Sequence, residues 1–151
     1  MLKLSKKTDY AIILLAHLGE EDAPVSAQEM ATHYKLPYPM VANILKQLVS
    51  SGLVESSRGK HGGYILVMPA DEINLAEIIR VTDSPLNLVE CAHDEAICKV
   101  HRCCPTRRPL VALHHKIQQF LEKTTLAAII RDAEPFNFTE KRTSYETAHL
   151  S

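Results

Sequence analysis

Along the first third of the chain, apolar residues recur at three- and four-residue intervals between short polar breaks, the pattern of consecutive amphipathic helices. Ala11, Leu14, Leu15 and Leu18 share one face of a helix that begins after Ser5 as N-cap and is expected to stop at Gly19. Ser26 and Glu29 have the spacing of a capping box, in which each side chain satisfies a free amide at the start of a second, short helix reaching about Tyr34. Pro37 interrupts the chain. Pro39, whose fixed φ suits the first helical position, opens a third helix through Ser51, with Gly52 as its stop. Val41, Ile44, Leu45, Leu48 and Val49 form the core side of this helix.

The period then shortens. Leu53 to Ser56 and Tyr64 to Val67 read as two short strands, and the polar, glycine-rich run from Arg58 to Gly63 suits a hairpin tip between them. Asn74 with Glu77 caps a fourth helix bearing Leu75, Ile78 and Ile79. From Thr82 to about Arg108 no periodicity is sustained, and this stretch, holding Pro85, Pro105 and all the cysteines, reads as an irregular loop. Beyond Pro109, Leu110, Leu113, Ile117 and Phe120 alternate three- and four-residue steps, the seam of a helix that packs on another helix. The tail after Pro135 is polar and is expected to be mobile.

Helix, tight turn, helix and two-stranded wing is the order of a winged helix-turn-helix. The expected fold is therefore mainly α with a small β wing, extended by a long C-terminal helix. The predicted organisation is a winged helix-turn-helix over 1–82, a cysteine-containing loop over 83–108, the long helix with a further C-terminal helix over 109–134, and a tail over 135–151.

A chain of 151 residues that is 46% hydrophobic suits one small domain with an appended element. The net charge of -1 hides a local excess of cations, since Lys99, Arg102, Arg107, Arg108 and Lys116 lie in a stretch without Asp or Glu. Near-neutrality therefore does not exclude a nucleic-acid partner. The apolar run Ala11 to Leu18 is too short to span a bilayer, so the protein is expected in the cytoplasm with no membrane partner. In that reducing compartment, Cys91, Cys98, Cys103 and Cys104 point to metal or redox chemistry rather than to a disulfide framework.

The third helix is the candidate recognition helix. Its face opposite the core carries Met40, Asn43, Lys46, Gln47 and Ser50, and its N-terminal members Pro39, Met40, Ala42 and Asn43 would sit nearest base edges. Asn is the usual bidentate partner of adenine, while Lys46 can reach a phosphate. The bland alternative is a solvated polar face on an ordinary helical domain. In the wing, Arg58, Lys60 and His61 stand among Gly59, Gly62 and Gly63, where cations and glycine-exposed amides could straddle a phosphate or enter the minor groove. A plain hairpin turn needs glycine as well.

Thiolates on a loop can converge on an iron–sulfur cluster without the constraint of regular secondary structure. A structural zinc site competes, with His93 and His101 nearby, although this spacing holds no CxxC pair. A thiol switch at Cys103-Cys104 and a set of merely buried cysteines are further readings. No enzyme is expected, because the chain has no phosphate-binding glycine loop, nucleophile elbow or H-E-x-x-H pair. His114 and His115 are assigned to the surface and seam of the last helix.

Taken in order, Leu4 to Ala11, Leu36 to Pro39, Leu48 to Leu53, Arg58 to Tyr64 and the cysteine loop resemble the Rrf2 family of winged-helix iron–sulfur transcription regulators. The resemblance runs from about Leu2 to Ile130. It implies a homodimer held by the long C-terminal helix, a double-stranded DNA operator as partner, and one cluster of two or four irons per subunit, bound in the preceding loop. Cys91, Cys98 and Cys104 match the family's ligands, which makes Cys103 an extra thiol. Where members of the IscR type place a fourth-ligand histidine, this chain has Arg107. The resemblance to NsrR-type members instead implies Asp9, from the partner subunit, as fourth ligand; on its own, Asp9 is a carboxylate favourably placed in the first turn of a helix. The stretch Leu45-Lys46-Gln47-Leu48 is most similar to regulators of SUF-type cluster-assembly genes, which favours control of those genes over a nitric-oxide response.

Overall fold

The computed structural model describes residues 3–89 and 103–131. Its elements are α1 (Lys6–Glu20), α2 (Ala27–His33), α3 (Tyr38–Ser50), β1 (Val54–Ser57), β2 (Gly63–Leu66), α4 (Leu75–Thr82), α5 (Arg107–Lys123) and α6 (Leu126–Arg131). The fold is mainly helical with a two-stranded wing, as the hydrophobic pattern predicts. No described helix is long and apolar enough to cross a membrane.

Local side-chain chemistry sets most of the boundaries. Ser5 caps α1 by accepting from the Thr8 amide at 3.2 Å, Ser26 caps α2 by accepting from Glu29 at 3.1 Å, and Asn74 caps α4 by accepting from Glu77 at 2.9 Å. Gly19 does not stop α1, which continues to Glu20; a Cβ there would come within 2.8 Å of Ile130 on α6, so the glycine permits close helix packing instead. Between α2 and α3, Lys35 takes a left-handed φ of 54°. Tyr38 rather than Pro39 is the first helical residue of α3, and Pro39 at the second position still lacks only an amide that would have no helical partner. The helix ends in a Schellman motif, with Gly52 at φ 81° and the Leu53 amide returning to the Leu48 carbonyl at 3.1 Å.

Each wing strand is displaced by one residue from its predicted span, and β1 pairs antiparallel with β2 from Val54↔Leu66 to Ser57↔Gly63. Val25 adds a further rung that local pattern does not reveal: its amide donates to Tyr64 at 3.0 Å, and the Tyr64 amide donates back at 2.8 Å. A Cβ on Gly63 would meet the Val25 backbone at 2.7 Å, which explains glycine at that position.

The core joins Ala11, Leu14 and Leu15 of α1, Met30 of α2, Val41, Ile44, Leu45 and Leu48 of α3, and Ile78 of α4, all essentially inaccessible to solvent. Val49 is only half-buried. Burying each such Val, Leu, Ile or Met side chain contributes about 1.5–3 kcal/mol. Leu126 of α6 belongs to the same core. The chain thus leaves the body along α5 and returns, its return fixed by Leu75 donating to Thr124 at 2.9 Å and Leu126 donating to Ile73 at 2.8 Å.

In the predicted loop, residues 83–89 have no helix or strand, and α5 begins at Arg107, two residues before Pro109. Cys91, Cys98, His93 and His101 lie outside the described residues, as does the tail after Pro135.

Candidate nucleic-acid interface and thiol site

The core stripe of α3 fixes what the opposite side can offer. Pro39, Met40, Asn43 and Lys46 are exposed and Ala42 is half-buried. Ser50 is engaged with its own helix, donating to the Lys46 carbonyl at 2.9 Å. Gln47 is also less available than its place on the helical wheel suggests: it is half-buried, and its Oε1 is buried without a hydrogen-bond partner. Sequence reasoning missed Tyr38, which is 49% exposed beside Met40 at 39%. Its signal was available, since the first residue after a Pro N-cap has no preceding turn to pack against.

β1 packs against α3, which sets the wing beside the candidate recognition helix. At its tip Arg58, Gly59, Lys60 and His61 are exposed and Gly62 is half-buried. The turn is tight: Gly62 donates to the Gly59 carbonyl at 3.0 Å, Gly59 has a φ of 118°, and a Cβ on Gly62 would sit 2.4 Å from the Ser57 carbonyl oxygen. Only glycine fits at both places, so the cationic side chains are carried on a fixed loop. Exposed Arg and Lys on such a loop can neutralise phosphates, whereas α3 can reach base edges.

The described thiols belong to the segment that leads into α5. Cys104 is half-buried and Cys103 exposed, immediately before α5. The Cys104 Sγ lies 3.4 Å from the Thr106 hydroxyl. That hydroxyl, followed by the backbone amides of Thr106 and Arg107 at the helix start, holds the Cys104 thiol below its ordinary pKa. The thiolate so favoured is the form that binds metal or reacts with oxidants. Asp9 is exposed in the first turn of α1. Asp83, the first residue after α4, has its carboxyl pulled below the usual range chiefly by the Ser84 amide at 2.8 Å and then by the Ser5 hydroxyl. Among the described residues no three His, Cys, Asp or Glu side chains are grouped as a metal site.

On α5, Leu110, Leu113 and Phe120 are 36%, 45% and 43% exposed, and Ile117 is half-buried. The predicted apolar seam is therefore largely open to solvent in the single chain. His114 corrects the assignment to surface and seam: it is only 2% exposed, and its Nδ1 accepts from the Leu88 amide at 3.4 Å. Lying four residues after Leu110 and three before Ile117, it borders the seam, so its burial could not be read from helical spacing alone.

The model of the family described as Rrf2, iron-dependent transcriptional regulator, matches residues 4–132. The regulator NsrR of Halalkalibacterium halodurans is 28% identical over 136 residues, covering 88% of this chain and 93% of that protein. The regulator CymR of Bacillus subtilis is 30% identical over 128 residues, covering 83% and 87%. The solved structure of B. subtilis CymR, described as the global cysteine regulator, has a TM-score of 0.68 at 27% identity over 86% of this chain and 97% of that one. T. potens IscR has a TM-score of 0.67 at 29% identity, covering 88% and 89%.

Proposed function

The chain belongs to the Rrf2 family of DNA-binding transcriptional regulators, and from that premise we propose that it is a cytoplasmic homodimer that reports iron–sulfur cluster status to cluster-assembly genes of the SUF type. The observation that carries this reading is the position of Cys104: a thiol held below its ordinary pKa, two residues before the N-cap of the helix whose apolar seam is exposed. A ligand taken up by that thiol acts on the start of the proposed dimer helix.

The donor set fits a cluster. Cys104 offers a thiolate, Cys91 and Cys98 complete three soft ligands, and the exposed Asp9 of the partner subunit is the fourth. Cys103 stays an extra thiol. When bound, the cluster supplies a multidentate tie between the cysteine loop of one subunit and α1 of the other. The chain's own part is to convert that tie into an angle between two reading heads. Two α3 helices must meet successive major grooves about 34 Å apart, so a small rotation about the seam changes affinity strongly. Pro39, Met40, Ala42, Asn43 and Lys46 on α3 make the base and nearby phosphate contacts, and Arg58, Gly59, Lys60, His61 and Gly62 make the wing contact to the backbone.

A nitric-oxide response is the second reading, supported by the similarity to NsrR and by Arg107 in place of a histidine. One sample tests the proposal. Protein purified without oxygen should be brown, bind a specific operator, and change its operator affinity when the cluster is stripped. Colourless protein whose affinity does not respond to iron and sulfide reconstitution would overturn the sensing role.

A further inference from the structure

The first two turns of α3 carry a restricted chemistry. From Tyr38 to Leu45 there is no Arg, Lys, Asp or Glu, and the first cation, Lys46, comes after them. The outward positions are Tyr38, Pro39, Met40 and Asn43, with Ala42 half-buried beside them. Asn43 makes no side-chain hydrogen bond with the described residues, so its amide is available. Among the described residues, large exposed apolar side chains fall into the α5 seam, Tyr38 and Met40 in the first turn of α3, and the separate Leu4 and Val67. Two apart on the helix, Tyr38 and Met40 flank the outward face that carries Pro39 and Asn43, and each offers an apolar contact at its margin.

The major groove shows each base a different set of groups. Guanine offers two acceptors, read by Arg or Lys, and cytosine offers an amino donor, read by Asp or Glu. None of those side chains is present in these two turns. Adenine pairs with the Asn amide, and the thymine methyl is the apolar group of the groove. We infer that the first two turns of α3 read A·T pairs, with Asn43 on an adenine and Met40 and Tyr38 on thymine methyls, and that these three residues set the operator preference of this chain. The inference rests on the DNA-reading role of α3 proposed above and specifies the base class it takes.

The test uses the full chain in cluster-loaded and stripped preparations. Sites are first selected from random duplex DNA; each thymine of the selected half-site is then replaced by uracil, which removes the methyl and leaves the base pairing intact. One or two replacements should weaken wild-type binding about three- to fivefold, the effect of one buried methyl group. At the same positions the loss should vanish in Met40→Ala or Tyr38→Ala, and Asn43→Ala should lose its preference for adenine at a neighbouring pair. If every methyl can be removed without loss, or the pairs whose discrimination changes in these variants are G·C, the inference fails while sequence-specific binding stands. If neither preparation selects any sequence, the DNA-reading role itself fails, and the inference with it.

Discussion

The hydroxyl oxygens of Thr8 and Thr82 lie 2.8 Å apart, buried where the start of α1 meets the end of α4. Thr82 donates to the Ile78 carbonyl at 2.8 Å, so its one proton is engaged and Thr8 must be the donor to Thr82. Ser5, 3.1 Å from the Thr8 oxygen, continues the chain outward. Asp9 and the first residue of the segment leading to the cysteines therefore depart from one fixed junction. A tie between that segment and a partner's Asp9 would act on rigid anchors at both ends.

Thr82→Val leaves the Thr8 hydroxyl without its acceptor and should cost about 1–3 kcal/mol. Thr8→Val should also destabilise, but the double variant should lose less than the two single losses combined, because no orphaned hydroxyl remains. Urea unfolding of the four proteins measures this coupling. Strictly additive losses would mean that the two hydroxyls do not act as a pair.

Lys35 sits in the turn between α2 and α3 at a φ of 54°, a conformation in which a Cβ is strained. Lys35→Gly should raise stability by up to about 1 kcal/mol, partly offset by the greater freedom of glycine in the unfolded chain. Operator affinity should stay within twofold, because Lys35 precedes the reading face. A destabilised Lys35→Gly protein would show that the lysine side chain makes a stabilising contact exceeding its backbone strain.

How far the fold was legible follows the range of each interaction. Ser26, Asn74 and Gly52 act on residues three to five positions away, so the chain announces them locally. The Val25 rung on Tyr64 and the return of Leu126 beneath Ile73 join distant segments, and no period reveals such pairing. The start of α5 differs for another reason: the apolar period begins only after Pro109, whereas the helix begins at Arg107, proline being tolerated in the first turn, where amides have no helical partner. That shift brings Thr106 and Arg107 onto Cys104, so the acidity of the thiol was not readable from spacing alone. The outward face of α3 was legible because Val41, Ile44, Leu45 and Leu48 fix its opposite, whereas the inward turn of the Gln47 oxygen required the packed structure.

The wing predicts a salt signature. Arg58→Ala should weaken binding to all sequences about equally and lower the slope of log affinity against log salt by about one unit, as expected when one phosphate contact is lost. Fluorescence titrations across a salt series report this directly. A loss confined to one operator base pair would move Arg58 from the backbone to a base edge.

The exposed face of α5 predicts the oligomeric state. Leu113→Glu combined with Phe120→Glu places charges on the apolar seam and should yield a folded monomer, since neither side chain belongs to the buried core. Truncation at Pro109 is the poorer test, because it also removes Leu126 from the core. Sedimentation with circular dichroism separates the outcomes. A dimer that survives both charges would place the subunit contact elsewhere.

The ligand assignment makes the sharpest demand on individual residues. Cys91→Ala, Cys98→Ala and Cys104→Ala should each abolish stable cluster binding, since each removes one of three soft donors. Cys103→Ala should keep the cluster, because Cys104 is the thiol that matches the third ligand and lies 3.4 Å from the Thr106 hydroxyl before α5. Thr106→Val offers a graded control: without the hydroxyl the Cys104 thiol should regain part of its ordinary pKa, slowing its alkylation near neutral pH while leaving α5 intact. Asp9→Ala should permit assembly but leave a labile cluster and a shifted operator affinity, while the unfolding transition changes little because Asp9 is exposed. Visible absorption during air exposure follows cluster lifetime in every variant. If Cys103→Ala loses the cluster and Cys104→Ala keeps it, the thiol assignment is displaced by one residue, and if Asp9→Ala alters neither lifetime nor affinity, the cross-subunit ligand must be sought among other side chains.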